Sequence, residues 1–169
     1  MRFKIITALF VVLTIACGPN KKTIENKSID VAQLLSVIDQ NIDQEMIVKG
    51  TVNHVCSHSG RRCFLIDTTG EYSIRVEATG TIESFSKEIM GTEISVKGIL
   101  REERLTSDEI EKMEADVQEK HPEDNENNGE NCSAEMANIH KMRQWMKDHN
   151  KDYYAIYYVD GLSYEVANQ

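Results

Sequence analysis

The sequence predicts a small α+β fold, mainly β, in which a barrel carries one helix before it and a helix plus a β-hairpin after it. Three observations predict it. Between Met46 and Arg104, four stretches alternate apolar and polar residues, the period of a half-buried strand. On either side apolar residues recur at helical spacing, at Val31, Leu34, Leu35 and Ile38 and again at Met136, Ile139, Met142 and Met146. The composition, 40% hydrophobic and 28% charged over 169 residues, suits one modest core and excludes collagen, coiled-coil and wholly disordered readings.

Taken in order, Ser28 to Asn41 reads as an amphipathic helix with Ser28 or Asp30 as its cap. The first strand starts at Met46 and runs to about Cys56, with Val48, Val52, His54 and Cys56 on one side. Arg62 to Thr68 and Tyr72 to Ala78 are the second and third strands, joined through Thr69-Gly70-Glu71. Ile82 to Met90 reads as a short helix and Thr92 to Arg104 as a long fourth strand. Strand, strand, strand, helix, strand is the order of an oligonucleotide/oligosaccharide-binding (OB) barrel. Its fifth strand is not obvious. Thr106-Ser107-Asp108-Glu109 is a capping box with Leu105 and Ile110 as a hydrophobic staple, so a helix begins where that strand is expected.

The acidic stretch 120–131 then reads as a solvated loop, and 132–169 as a helix followed by a hairpin turning at Asp160-Gly161. That turn would place Ala155, Tyr157, Val159, Leu162, Tyr164 and Val166 on one buried face. The hairpin either completes the barrel of residues 28–119 or packs with the last helix as an annex.

Residues 1–16 have the charged-then-apolar order of a secretory signal, with Arg2 and Lys4 ahead of Ile5 to Ala16. The run ends in Ala16-Cys17, a small residue before a cysteine. This predicts lipidation of Cys17, a tether over 17–27, and a membrane anchor on the periplasmic face of the outer membrane. Cleavage after Ala16 without lipidation is the competing expectation.

The densest chemistry is His54-Val-Cys56-Ser-His58-Ser-Gly60-Arg-Arg62-Cys63, joining the first two strands. His54 and Cys56, two apart on a strand, have Cα atoms roughly 7 Å apart and can share a metal. His58 joins them only if the backbone bends after Cys56, which Gly60 permits. A thiolate with imidazoles favours Zn or Cu. His54, Cys56, His58 and Cys63 are therefore candidate metal ligands. Cys56 and Cys63 are equally a candidate disulfide in an oxidising compartment, and free packed thiols are a third reading. Cys132 is the expected odd cysteine.

Arg62 and Arg75, with Arg61 nearby, are candidate anion ligands, although Asp67 and Glu77 are more ordinary partners for them. Met136, Met142, Met146 and His140 resemble a copper-handling set, but methionines at helical spacing beside Ile139 and Trp145 read as core, and His121 and His149 carry no signal. With 28 Asp+Glu against 19 Lys+Arg, a net charge of −9 argues against a nucleic-acid partner. No nucleophile elbow, phosphate loop or HExxH motif occurs, which makes an enzyme the weaker class.

With those residues in view, the chain resembles a family of small exported OB-fold lipoproteins found in Bacteroidota. The resemblance rests on Glu45-Met-Ile-Val-Lys-Gly50-Thr-Val, the His54 to Phe64 segment, Ser73-Ile-Arg-Val-Glu77-Ala and Ile94-Ser-Val-Lys-Gly98, within Ser28 to Glu119. It implies a barrel with the Cys-x-His-x-Gly loop at one end, and favours Cys56 and His58 over Cys63 as the pair that matters. The expected function is a non-enzymatic, membrane-anchored binding module that engages a metal, a cofactor or an envelope protein through this loop. The alternative is a redox protein working through the Cys56 thiol. A nucleic-acid-binding barrel is third.

Overall fold

Five strands curl until the first meets the last, because each carries apolar side chains on one face only and closure buries all five faces together. The computed structural model describes residues 28–120 and 130–167. The strands of the barrel are β2 (Glu45–Val55), β3 (Arg62–Ile66), β4 (Ser73–Ala78), β5 (Glu93–Thr106) and β6 (Tyr153–Val166). β2 pairs antiparallel with β3 and β5, and β3 pairs antiparallel with β4. β4 pairs parallel with β6, and β6 pairs antiparallel with β5. The result is a mixed α+β protein with a closed five-stranded barrel, compatible with the small OB-like barrel expected. Its interior is filled by Met46, Val48, Val52, Cys63, Leu65, Ile74, Val76, Ile94, Val96, Leu100 and Val159.

Four short elements accompany the barrel strands. β1 (Ser28–Asp30) adds parallel to β2, and α1 (Val31–Ser36) follows at once, its first turn capped by Asp30 accepting from Gln33 N at 2.8 Å. Val31 and Leu34 are driven into the barrel core. The expected helix over Ser28 to Asn41 is thus corrected to a strand, one and a half turns of helix and a 3-10 turn at Ile38–Gln40. Ile82 to Met90 is not a helix either. Only Lys87–Ile89 forms a 3-10 turn, and Ile82, Phe85 and Ile89 plug the barrel from an otherwise irregular loop.

The expected hairpin is the larger correction. Asp160-Gly161 makes no turn, and β6 is one strand that supplies the missing fifth stave. It is paired along β5 from Tyr153 opposite Thr106 to Val166 opposite Ile94, with Leu162 as an extra residue where the register slips beside Gly98. Two flanking strands offer the backbone far more hydrogen bonds than a two-residue turn, so pairing overrides the turn signal. Ala155 and Val159 are buried as expected and Tyr157 and Tyr164 partly so, whereas Val166 is 45% exposed.

Beyond Ile99, β5 pairs with β6 alone, so the two run on past the barrel as a ribbon. At its end stand α2 (Ser107–Lys120) and α3 (Glu130–Asp148). The capping box forms as expected: Glu109 Oε2 accepts from Thr106 N at 2.8 Å, and Glu109 N donates to Thr106 Oγ1 at 3.3 Å. Ile110, Val117, Ile139 and Met146 make a second core, packed by Leu105, Met136, Met142, Trp145 and Tyr154. The methionines therefore pack as expected, and His149 stacks on Trp145 with ring centroids 4.1 Å apart. Among the described residues no helix is long and apolar enough to cross a membrane. Cys17, His121 and the thiol of Cys132 lie outside what is described.

Candidate functional site

The loop between β2 and β3 begins with an irregularity in β2. The register slips between Val52 and His54, leaving Asn53 unpaired opposite the β3 ladder. One extra residue reverses the alternation. Val52 and Val55 both face the core, while His54 and Cys56 face out. The expectation that His54 and Cys56 share a face with Val48 and Val52 is corrected accordingly, although the two still share a face with each other.

Backbone hydrogen bonds pin the loop at three points. Cys56 N donates to Arg62 O at 2.9 Å, Gly60 N to Cys56 O at 3.0 Å, and Phe85 N to Gly60 O at 2.7 Å. Gly60 has φ +63°, and a Cβ there would meet Phe85 O at 2.9 Å, so this is a position that requires glycine. Inside the bend, the amide of His58 holds the Cys56 thiol below its ordinary pKa, helped by the amide and hydroxyl of Ser59 and by the charge of Arg62. Hydrogen bonds to the charged form favour the thiolate, and half-buried Cys56 still meets solvent.

Cys63 has the opposite environment. It stands opposite Val55 and Val76 with no exposed surface, and burial pushes its thiol up to about 12. Both cysteines are free. Alternation explains why: Cys56 faces outward and Cys63 inward, on opposite sides of one sheet. The four ligand candidates are divided in the same way, with His54, Cys56 and His58 outside and Cys63 inside. Among the described residues no three His, Cys, Asp or Glu side chains converge as a metal-holding group.

The arginines are engaged. Arg62 Nε lies 2.9 Å from Glu77 Oε1, and Arg75 bridges Glu77 and Glu103 at 3.1 and 3.4 Å. Arg61 donates to Ala78 O. Asp67 pairs with no arginine; it accepts from Thr69 and Tyr72 and holds the β3–β4 turn.

Cross-strand register exposes a feature that the sequence reading missed. His54 pairs with Phe64, Phe64 with Arg75, Arg75 with Tyr158, and Tyr158 with Arg101, one row across the outer face of all five strands. His54 and Phe64 rings are 6.1 Å apart, and the Arg75 guanidinium lies 4.7 Å from the Tyr158 ring centroid. Tyr158 escaped notice because a hairpin would have placed it away from β4. The available signal was its position one residue out of phase with Val159.

No family model matches the chain, and no curated protein matches it. Among solved structures the chain has a likeness to "a putative aspartyl-tRNA synthetase from Leishmania major Friedlin", 13% identical, over 50% of this chain and 17% of that one, with a TM-score of 0.33. A likeness that distant carries no argument about this chain.

Proposed function

We propose that the chain is a non-enzymatic, OB-fold-like binding module, anchored through lipidated Cys17 to the periplasmic face of the outer membrane, that grips a partner protein with the loop from Cys56 to Arg61. The reading includes membership of the exported OB-fold lipoproteins of Bacteroidota. The observation that carries it is the half-buried, solvent-facing Cys56 thiol, cradled by the His58 and Ser59 amides at the rim of a row of aromatic and cationic side chains. A partner protein is preferred over a resident metal because Cys63, the fourth sulfur or nitrogen ligand of the expected set, is spent on the core. A metal held here would take further ligands from the partner.

A photo-cross-linking residue at Ser59 in the native envelope tests the proposal. It should trap one discrete partner, while the same residue at Thr68, beyond the opposite end of β3, should not. Equal trapping at both positions would overturn it.

The second reading is a redox thiol, favoured by the lowered pKa of Cys56. It requires a partner thiol or disulfide from outside the described residues. Under this reading Cys56→Ser abolishes trapping of the partner as a reducible mixed disulfide, whereas the binding reading keeps the photo-cross-link.

A further inference from the structure

α2 and α3 bury their shared seam incompletely. Val117 and Ile139 form the floor of a shallow cleft of about 280 Å³ between them, with half-buried Met142 and Met113, itself 38% exposed, as its walls. Asp116 and Glu135 stand at its rim. A space of this size lies below the usual range of a small-molecule pocket, but accepts a few apolar side chains from a docked segment. Methionine suits such a surface, because its flexible, polarisable thioether adapts to whatever shape arrives.

Charge says what arrives. From Ser107 to Asp148 the chain carries twelve Asp and Glu against five Lys and Arg, which is −7 of the whole chain's −9. Residues 1–27 carry +4 and residues 28–106 and 149–169 together −6, so the acidity is denser on the helical pair and its connection than on the longer barrel portion. Residues 121–129 hold three acidic residues and His121 and no apolar residue besides Pro122, so that connection does not match an apolar cleft with an acidic rim.

We propose that the α2–α3 cleft is a docking site for a cationic amphipathic segment of a partner protein, its apolar side chains set against Met113, Val117, Ile139 and Met142 and its lysines or arginines against Asp116 and Glu135. This is the helix-in-groove mode of recognition, steered by charge. The surface is separate from the Cys56 loop, and its failure leaves that proposal untouched.

Fluorescence anisotropy on the full mature chain tests it, with a labelled lysine–leucine peptide of about 18 residues whose leucines lie on one helical face. Micromolar binding that weakens with added salt is expected. Met113→Ser, and separately the pair Asp116→Lys and Glu135→Lys, should each weaken it by about tenfold. These side chains are exposed, so the variants keep the fold, checked by circular dichroism. The pair Glu83→Lys and Glu88→Lys, which makes the same charge change on the barrel, should leave binding unchanged. Equal binding of a scrambled peptide, or an equal loss in the barrel variant, means attraction by net charge alone and overturns the proposal. No binding overturns it as well. So does binding that emerges only when the cationic residues 18–27 are removed, which would make this chain's own tether the occupant, or self-association abolished by Met113→Ser, which would make a second copy the occupant.

Discussion

Cys56 and Cys63 flank the same short loop, yet one faces solvent within a ring of amides and the other faces the barrel core without exposed surface. They are therefore two different reagents. The His58 amide, with Ser59, favours the Cys56 thiolate, while burial holds Cys63 protonated up to about 12. Iodoacetamide should alkylate Cys56 in the native protein with a midpoint below the ordinary thiol value of 9.0. Cys63 should react only in denaturant, and mild oxidation should leave the two unbridged. Peptide mapping by mass spectrometry after timed alkylation checks all three, and a Cys56–Cys63 bridge in the folded protein would contradict the arrangement.

The same burial makes stability fall in alkali. The folded pKa of Cys63 lies above its ordinary 9.0, at about 12. That of Tyr157 rises from 10.0 to about 12, through burial first and then the hydrogen bond its hydroxyl donates to Asp39. For both groups the unfolded chain releases its proton first, so their contribution is whole below the unfolded value and is lost as pH climbs through the folded one. Urea midpoints should therefore drop from about pH 9 toward pH 12. Cys63→Ala and Tyr157→Phe should each flatten that slope, even where the substitution lowers stability at pH 7. An unchanged slope in both variants would mean that the two groups titrate alike in the folded and unfolded chain.

Asn53 is the one residue by which β2 exceeds its ladder with β3. Deleting it puts His54 directly after Val52, so strict alternation then keeps His54 and Cys56 outward and Val55 inward, with β2 and β3 paired without a slip. The β5 ladder ends at Thr51, so the deletion takes no residue from that pairing. The deletion, like Asn53→Ala, should change unfolding free energy by under about 1 kcal/mol, whereas Val55→Ala, which empties a core position, should cost about 2 kcal/mol. Denaturant titration of the three variants side by side decides it, and a deletion as costly as Val55→Ala would remove the bulge from the account.

How much of this was legible beforehand depended on whether the signal was periodic or a matter of register. Val48 and Val52, Leu65, Ile74 and Val76, and Ile94 and Val96 announce their strands by alternation, and Thr106 with Glu109 announces a helix start, and all of these appear in the structure. Asn53 has no such signature, because an extra residue in a ladder is visible only against its partner strand. Asp160-Gly161 carried a strong turn signal that was outweighed by pairing to strands more than fifty residues away in sequence for β5 and about eighty for β4. For that reason the Cys/His cluster was found and its facing was not. The row from His54 to Arg101 stayed hidden until β6 was placed between β4 and β5.

Gly98 offers the most direct test of that placement. It lies at the register slip where β5 pairs with β6, and a Cβ built on it would collide with Val159 Cγ1 and sit 2.6 Å from Asp160 O. The second contact is to backbone, which has no rotamer to yield, so the two strands must part or the barrel must distort. Gly98→Ala should therefore cost about 2–3 kcal/mol, as overpacking of a closed core does. Gly91 supplies the contrast. A Cβ there meets nothing within 4 Å, and its φ of +79° leaves only backbone strain, so Gly91→Ala should cost about 1 kcal/mol. Thermal and urea unfolding of the two variants measure the difference. Were β6 half of a separate hairpin, Gly98 would have open space above it and its variant would be the milder of the two.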